Sequence, residues 1–161
     1  MGGIMKIKHL TVLNSREVKQ IHEQLEQQYG FDQKLPYAFL KSNKDKLYIV
    51  HRDVDKIDAS DLKIDTLGLY FATQYPGELR LSMEGSQLLS SNAHRCVLEL
   101  TKEQAKTWFR GEDLPVSPDL AGFQIVRHGS DYLGCGKAAK GKLYNYLPKT
   151  RRILPEHTPN E

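Results

Sequence analysis

Several things that would make a function easy to read are scarce or missing. Among 161 residues there are two cysteines, Cys96 and Cys135. They stand far apart without a second ligand pair, so they can build neither a disulfide framework nor a zinc ribbon. Reduced thiols are the expectation. No run approaches the roughly 18–20 consecutive apolar residues of a membrane-spanning helix, so no membrane partner is expected. The start, Met1-Gly2-Gly3-Ile4-Met5-Lys6, lacks the basic, apolar and small-residue regions of a secretory signal. A cytoplasmic location follows as an expectation, or a nucleolar one if the source is a eukaryote. The six histidines, His9, His22, His51, His94, His128 and His157, show no zinc-ligand spacing. Neither a G-x-S-x-G elbow nor a glycine-rich methyl-donor loop after a strand is present. The expectation is therefore a protein without catalytic residues, metal or cofactor, and not an enzyme.

What is present is an ordinary globular composition, 39% hydrophobic and 27% charged. The length suits one domain or two small ones. The net charge of +3 is mild, but it is unevenly placed. Up to Leu120 there are 16 basic and 17 acidic residues, and beyond it 7 and 3. Between Lys137 and Arg152 six cations (Lys137, Lys140, Lys142, Lys149, Arg151, Arg152) occur with no acid, around Tyr144, Asn145 and Tyr146. Cations attract phosphates, and tyrosine rings and an asparagine amide can stack on or hydrogen-bond exposed bases. The competing reading is a lysine-rich edge that keeps a sheet soluble. Strand alternation puts Tyr144 and Tyr146 on one face and Asn145 on the other, which leaves the tyrosines two roles, stacking platform or core.

Periodicity divides the chain into short elements. Lys6 to Leu13 reads as a strand. A helix capped by Ser15 follows, with Val18, Ile21, Leu25 and Tyr29 on one face and Gly30 as a left-handed stop. Tyr37 to Lys41 and Lys46 to His51 read as a hairpin. Asp53 to Asp65 is an acidic short helix or connection, and Leu67 to Thr73 a strand before a turn at Tyr75-Pro76-Gly77-Glu78. Ser82 caps a short helix, Cys96 to Leu100 is a buried strand, and Thr101 with Gln104 forms a capping box for a helix that buries Ala105, Trp108 and Phe109. Leu114 to Pro118 is too proline-rich for a regular element. Phe123 to Arg127, Tyr132 to Lys137 and Lys142 to Leu147 are strands. Without regular strand-helix alternation the fold class is α+β.

Three chemical motifs fail on their details. Gly136 to Lys142 has the spacing of a phosphate-binding loop up to its lysine, but Leu143 replaces the magnesium-holding hydroxyl and Pro148 breaks the helix that should follow. Glycines in a twisted strand and tight turn, where another backbone comes close, account for it more simply. Asp53, Asp55 and Asp58 begin like a calcium loop, yet Asp58 and Ile64 stand where Gly and Glu are needed. Cys135 near His128 could form a nucleophile pair, but a strand cysteine between glycines is more often a small buried hydrophobe.

The run from Leu67 to Lys140 resembles the Nip-type ribosome-biogenesis factors, two-domain proteins ending in a PUA domain. The stretches that carry the resemblance are Leu67-Gly68-Leu69-Tyr70-Phe71 into Leu79-Arg80-Leu81-Ser82, Leu88 to Ala93, Trp108-Phe109-Arg110-Gly111-Glu112, and Gly122 to Val126 followed by Leu133 to Lys140. Past Lys140, the segment Gly141 to Lys149 is more similar to the PUA-like tail of Sun-family RNA cytosine-5 methyltransferases. The element pattern divides the chain near Asp65 into a small N-terminal α/β domain (1–65), for which near-neutral charge without a basic cluster makes protein docking the expectation, and a mostly-strand part (66–155) followed by a flexible tail (156–161). For 66–155 the resemblance implies a PUA-like mixed β pseudo-barrel with short helices that binds RNA. It implies an RNA partner, rRNA or pre-rRNA, in ribosome biogenesis or rRNA modification. Ribosome-assembly factors or an RNA methyltransferase would be protein partners. The alternative function is a non-catalytic protein-interaction subunit, such as an accessory of an RNA methyltransferase. The expected RNA contacts are Arg127, Lys137, Lys140, Lys142, Tyr144, Asn145, Tyr146, Lys149, Arg151 and Arg152. Docking at the N-terminal part expects exposed Tyr37, Phe39 or Leu40.

Overall fold

The computed structural model describes residues 10–51 and 68–153. Of the expected strand Lys6 to Leu13, residues 6–9 lie outside the described residues, and Thr11–Val12 form β1. Helix α1 (Ser15–Tyr29) follows, capped by Asn14 instead of Ser15. Asn14 Oδ1 accepts from the Glu17 N–H at 2.9 Å, and Glu17 Oε1 accepts from the Asn14 N–H at 3.0 Å. This reciprocal pair satisfies two helix-end amides, which Ser15, already inside the first turn, cannot do. Gly30 stops the helix at φ 64°. Ile21, Leu25 and Tyr29 are buried along one face.

The predicted hairpin forms from β2 (Tyr37–Lys41) and β3 (Lys46–His51). Strands β4 (Leu69–Tyr75) and β5 (Glu78–Leu81) turn at Pro76-Gly77 and complete an antiparallel sheet in the order β1-β2-β3-β4-β5. Helix α2 (Met83–Leu89) is capped by Ser82, whose Oγ accepts from the Gly85 N–H at 2.9 Å. The expected acidic segment Asp53 to Asp65, and with it the domain boundary near Asp65 and the tail 156–161, lies outside the described residues.

The second sheet is mixed and curled. Its strands are β6 (Val97–Glu99), β7 (Leu114–Pro115), β8 (Gly122–His128), β9 (Asp131–Ala139) and β10 (Lys142–Asn145), ordered β6-β8-β9-β10-β7. Helix α3 (Lys102–Phe109) lies between β6 and β7 in sequence and carries the predicted Thr101 and Gln104 box. Two expectations need correction. Strand β6 is a half-buried edge strand, parallel to β8, because it has a neighbour on one side only. Leu114 and Pro115 do form a strand, pairing with Leu143 and Lys142. Proline is tolerated there because β7 is an edge, where a missing N–H goes unnoticed. The α+β class stands.

The glycine-rich stretch is a hairpin. Lys140 and Gly141 have φ of 53° and 80°, and Ala139 pairs with Lys142 across them. Two consecutive positive φ values mark the tight turn that matches strand twist. Gly136 is needed for close approach, since a Cβ there would sit 2.7 Å from the Tyr144 carbonyl oxygen.

One apolar cluster joins the two sheets, taking Ile21, Leu25 and Tyr29 from α1, Phe39, Leu47 and Phe71 from the first sheet, and Phe123, Ile125 and Cys135 from the second. Polar bonds lock the helix to β5. Gln28 accepts from the Leu79 N–H at 2.8 Å and donates to the Leu79 carbonyl at 3.0 Å, and the Tyr29 hydroxyl donates to the same carbonyl. A second cluster under α3 gathers Trp108, Leu114, Val126, Leu133, Ala138 and Leu143. Phe39 and Leu40 are 0% and 2% exposed, and half-buried Tyr37 packs on His51. The apolar patch expected for docking is therefore folded into the protein, two of its three side chains lying in the interior.

Cys135 and His128 do not form a nucleophile pair. Cys135 faces Ile125 in the ladder while His128 faces Asp131, and His128 Nδ1 is 2.9 Å from the Leu100 carbonyl oxygen. Cys135 Sγ lies 3.7 Å from the Tyr29 hydroxyl. Burial pushes the thiol up from its ordinary 9.0 to about 11, and burial followed by Cys135 raises Tyr29 well above its ordinary value. Both groups stay neutral when folded and ionise more readily when unfolded, so stability is intact below the unfolded values and lost as pH rises through them. Cys135 alone predicts a loss on the order of 2–3 kcal/mol as pH rises from about 9 to about 11. Urea unfolding at pH 8 and at higher pH should show it, and Cys135→Ala should remove most of the part below pH 10. An unchanged profile in that variant would contradict the assignment.

Candidate nucleic-acid interface

Phe123, Lys137 and Tyr144 are register partners on β8, β9 and β10. Directly paired residues project from the same face of a sheet. The Lys137 ammonium lies 5.4 Å from the centre of the Phe123 ring. Two residues before Tyr144, Lys142 lies 5.7 Å from the Tyr144 ring. The alternate positions, Ala138 and Leu143, point into the cluster beneath α3. Tyr144 and Tyr146 are 40% and 41% exposed, which decides between their two roles: neither ring is core.

Tyr146 extends this face toward the first sheet. Its ring is 6.4 Å from Phe123 and 4.3 Å from the Arg80 guanidinium of β5. Arg80 also lies 5.8 Å from the Tyr75 ring and donates to the Tyr75 hydroxyl at 3.0 Å. Tyr75 in turn packs 5.5 Å from Phe123. The result is a belt of rings and cations crossing both sheets. Among the described residues no carboxylate forms an ion pair with Arg80, Lys137 or Lys142. Sequence reasoning missed Arg80 and Tyr75, which sit in the charge-balanced part of the chain. The signal available was alternation, since Arg80 stands between Leu79 and Leu81, both buried.

The other expected contacts divide. Lys140 is exposed on the hairpin turn, and Lys149 is exposed in a 3-10 turn (Lys149–Arg151). Asn145 has a different job. Its amide donates to the Trp108 carbonyl at 2.8 Å and the Glu112 carbonyl at 3.0 Å, and its Oδ1 accepts from the Leu147 N–H at 2.8 Å. With both amide hydrogens used, it fastens β10 to the end of α3 and has no donor left for a base. Arg151 pairs with Glu84. Arg152 Nε donates to the Leu147 carbonyl at 3.0 Å, and its guanidinium lies against Gly111. Both arginines help hold the C-terminal turn. Arg127 is four residues along β8 from Phe123, paired with Glu99 at 2.9 Å and donating to Tyr132 at 3.3 Å. Tyr132 first, and Glu99 after it, raise its pKa above the ordinary value. It belongs to a separate polar hollow with His94 and Arg95.

No helix among the described residues is long and apolar enough to cross a membrane. Residues 95–153, which contain β6 to β10 and α3, match the family described as Methyltransferase RsmF PUA domain. Similar curated proteins are called Ribosomal RNA small subunit methyltransferase F. The one from Vibrio cholerae serotype O1 (strain M66-2) is 28% identical over 90 residues, covering 55% of this chain and 19% of its own. The one from Aeromonas salmonicida (strain A449) is 24% identical over 138 residues, covering 85% of this chain and 28% of its own. The chain thus matches between about a fifth and just over a quarter of these relatives' length. Its C-terminal part carries a PUA-like domain similar to that of an RsmF-type, Sun-family ribosomal RNA methyltransferase.

Proposed function

We propose that this protein binds RNA, ribosomal RNA or its precursor, through the ring-and-cation face of its PUA-like domain, and serves rRNA modification without itself transferring a methyl group. The observation that carries this is the pair Lys137 and Tyr144, with Lys142 and Tyr146 beside them, laid over the buried Phe123 ring: ammonium groups free of carboxylate partners among the described residues, next to the exposed rings of Tyr144 and Tyr146. Such a surface offers phosphate attraction and base stacking together. The PUA-like match to rRNA methyltransferases supports rRNA as the class of target. It favours a role beside a methyltransferase over one in ribosome assembly of the Nip type.

Affinity for an RNA hairpin should fall steeply with salt. Lys137→Ala with Lys142→Ala should flatten the log–log salt dependence by roughly 1.4–1.8, and weaken binding about tenfold or more near physiological salt. The melting temperature should barely move, because neither ammonium is buried. An unchanged slope would place the phosphates elsewhere. The second reading, a basic face for an acidic protein partner, predicts capture of a partner that survives ribonuclease.

A further inference from the structure

Where the belt meets the first sheet there is a cleft of about 180 Å³. Tyr146, Arg80, Tyr70, Lys46 and Arg151 line it, with Trp108 and Gly134 of the second cluster's side. Its size matters, because pockets for drug-sized ligands or cofactors run from about 300 Å³ upward. This one suits a group as small as one flat heterocycle. Its chemistry matters too. Arg80 lies over the Tyr146 ring, and the Lys46 ammonium is 5.4 Å from the Tyr70 ring. A guanidinium plane and tyrosine faces stack on any base, and the cations around the mouth suit the phosphates on either side of it.

The polar groups that could read a base edge are already engaged. Ser82 Oγ donates to the Tyr70 carbonyl at 2.6 Å and caps α2, and Glu84 is held by Arg151. We infer that this cleft, made jointly by the first sheet and the PUA-like segment, captures one unpaired nucleotide of the bound RNA by stacking on Arg80 and Tyr146, with little preference among bases. The inference rests on the RNA-binding reading and deepens it: the protein selects RNA with a bulged or single-stranded nucleotide over a continuous duplex. Seven of the lining residues, the stacking and cationic Lys46, Tyr70 and Arg80 among them, lie outside the segment that matches the methyltransferase PUA domain.

The test compares the full chain with its Arg80→Lys and Tyr146→Leu variants. The probes are a labelled RNA hairpin with one bulged nucleotide, in versions with each of the four bases, and a fully paired hairpin of the same length. The expected result is an affinity about tenfold higher for the bulged RNA, within about threefold for any base. In Arg80→Lys, which keeps the charge and loses the plane, the ratio of bulged to duplex affinity should shrink toward unity, whatever the change in duplex affinity itself. Tyr146→Leu should shrink the same ratio, read on the folded protein. If the wild type binds both RNAs equally, or both variants keep the preference, the cleft inference is overturned while RNA binding stands. If neither RNA binds at low salt and an acidic polypeptide such as polyglutamate does, the RNA reading and the inference fall together.

Discussion

A fragment that begins at residue 68 is expected to lose cooperative folding, although it keeps the whole PUA-like segment. It lacks Ile21, Leu25, Tyr29, Phe39 and Leu47, each at most 1% exposed in the core that also holds Ile125 and Cys135. At roughly 1.5–3 kcal/mol for each buried side chain, the five represent on the order of 10 kcal/mol. That is comparable with the whole stability of an ordinary domain, about 5–15 kcal/mol. The fragment also leaves β4 without its partner β3 and Leu79 without Gln28 and Tyr29. Circular dichroism should show no sharp thermal transition, and the amide NMR spectrum should be poorly dispersed. A cooperative melt with a dispersed spectrum would instead support an autonomous 66–155 domain and a true boundary near Asp65.

The second large effect is expected at Trp108. Its side chain is 0% exposed, and its indole N–H donates to the Leu133 carbonyl at 3.1 Å, tying α3 to β9. Trp108→Ala removes the largest buried side chain of the second cluster and should cost about 3–5 kcal/mol. Trp108→Phe keeps most of the apolar volume, loses the N–H, and should cost about 1–2 kcal/mol, much of it the unpaired carbonyl. Urea unfolding measures both. Trp108 also lines the stacking cleft, so the folded fraction of the Ala variant should have weakened selectivity for a bulged nucleotide as well. An Ala variant within about 1 kcal/mol of wild type would mean that α3 is held by other contacts.

Local signals carried their own geometry well. Thr101 with Gln104, Ser82, Gly30 and the Pro76-Gly77 turn act within a few residues, so the elements they start or stop could be read directly. The Asn14 cap was missed by one position because two neighbouring polar residues both suit a helix start, and only the reciprocal bond to Glu17 separates them. Strand β7 was missed because two residues containing a proline give no periodicity; they become a strand only when β10 lies alongside.

At the candidate site the division is sharper. The sequence by itself determined that the acid-free cations follow Lys137, that Tyr144 and Tyr146 share a face opposite Asn145, and that the glycine stretch is no phosphate loop. Only the tertiary structure decided that Asn145, Arg151 and Arg152 hold the fold together, that the two tyrosines are exposed, and that Arg80 and Tyr75 complete the face from another sheet. The reason is the range of the interactions. Caps, turns and alternation are set by neighbours along the chain, whereas an asparagine's partners or a ring's exposure depend on which distant segment packs against it, and Arg80 meets Tyr146 from 66 positions away.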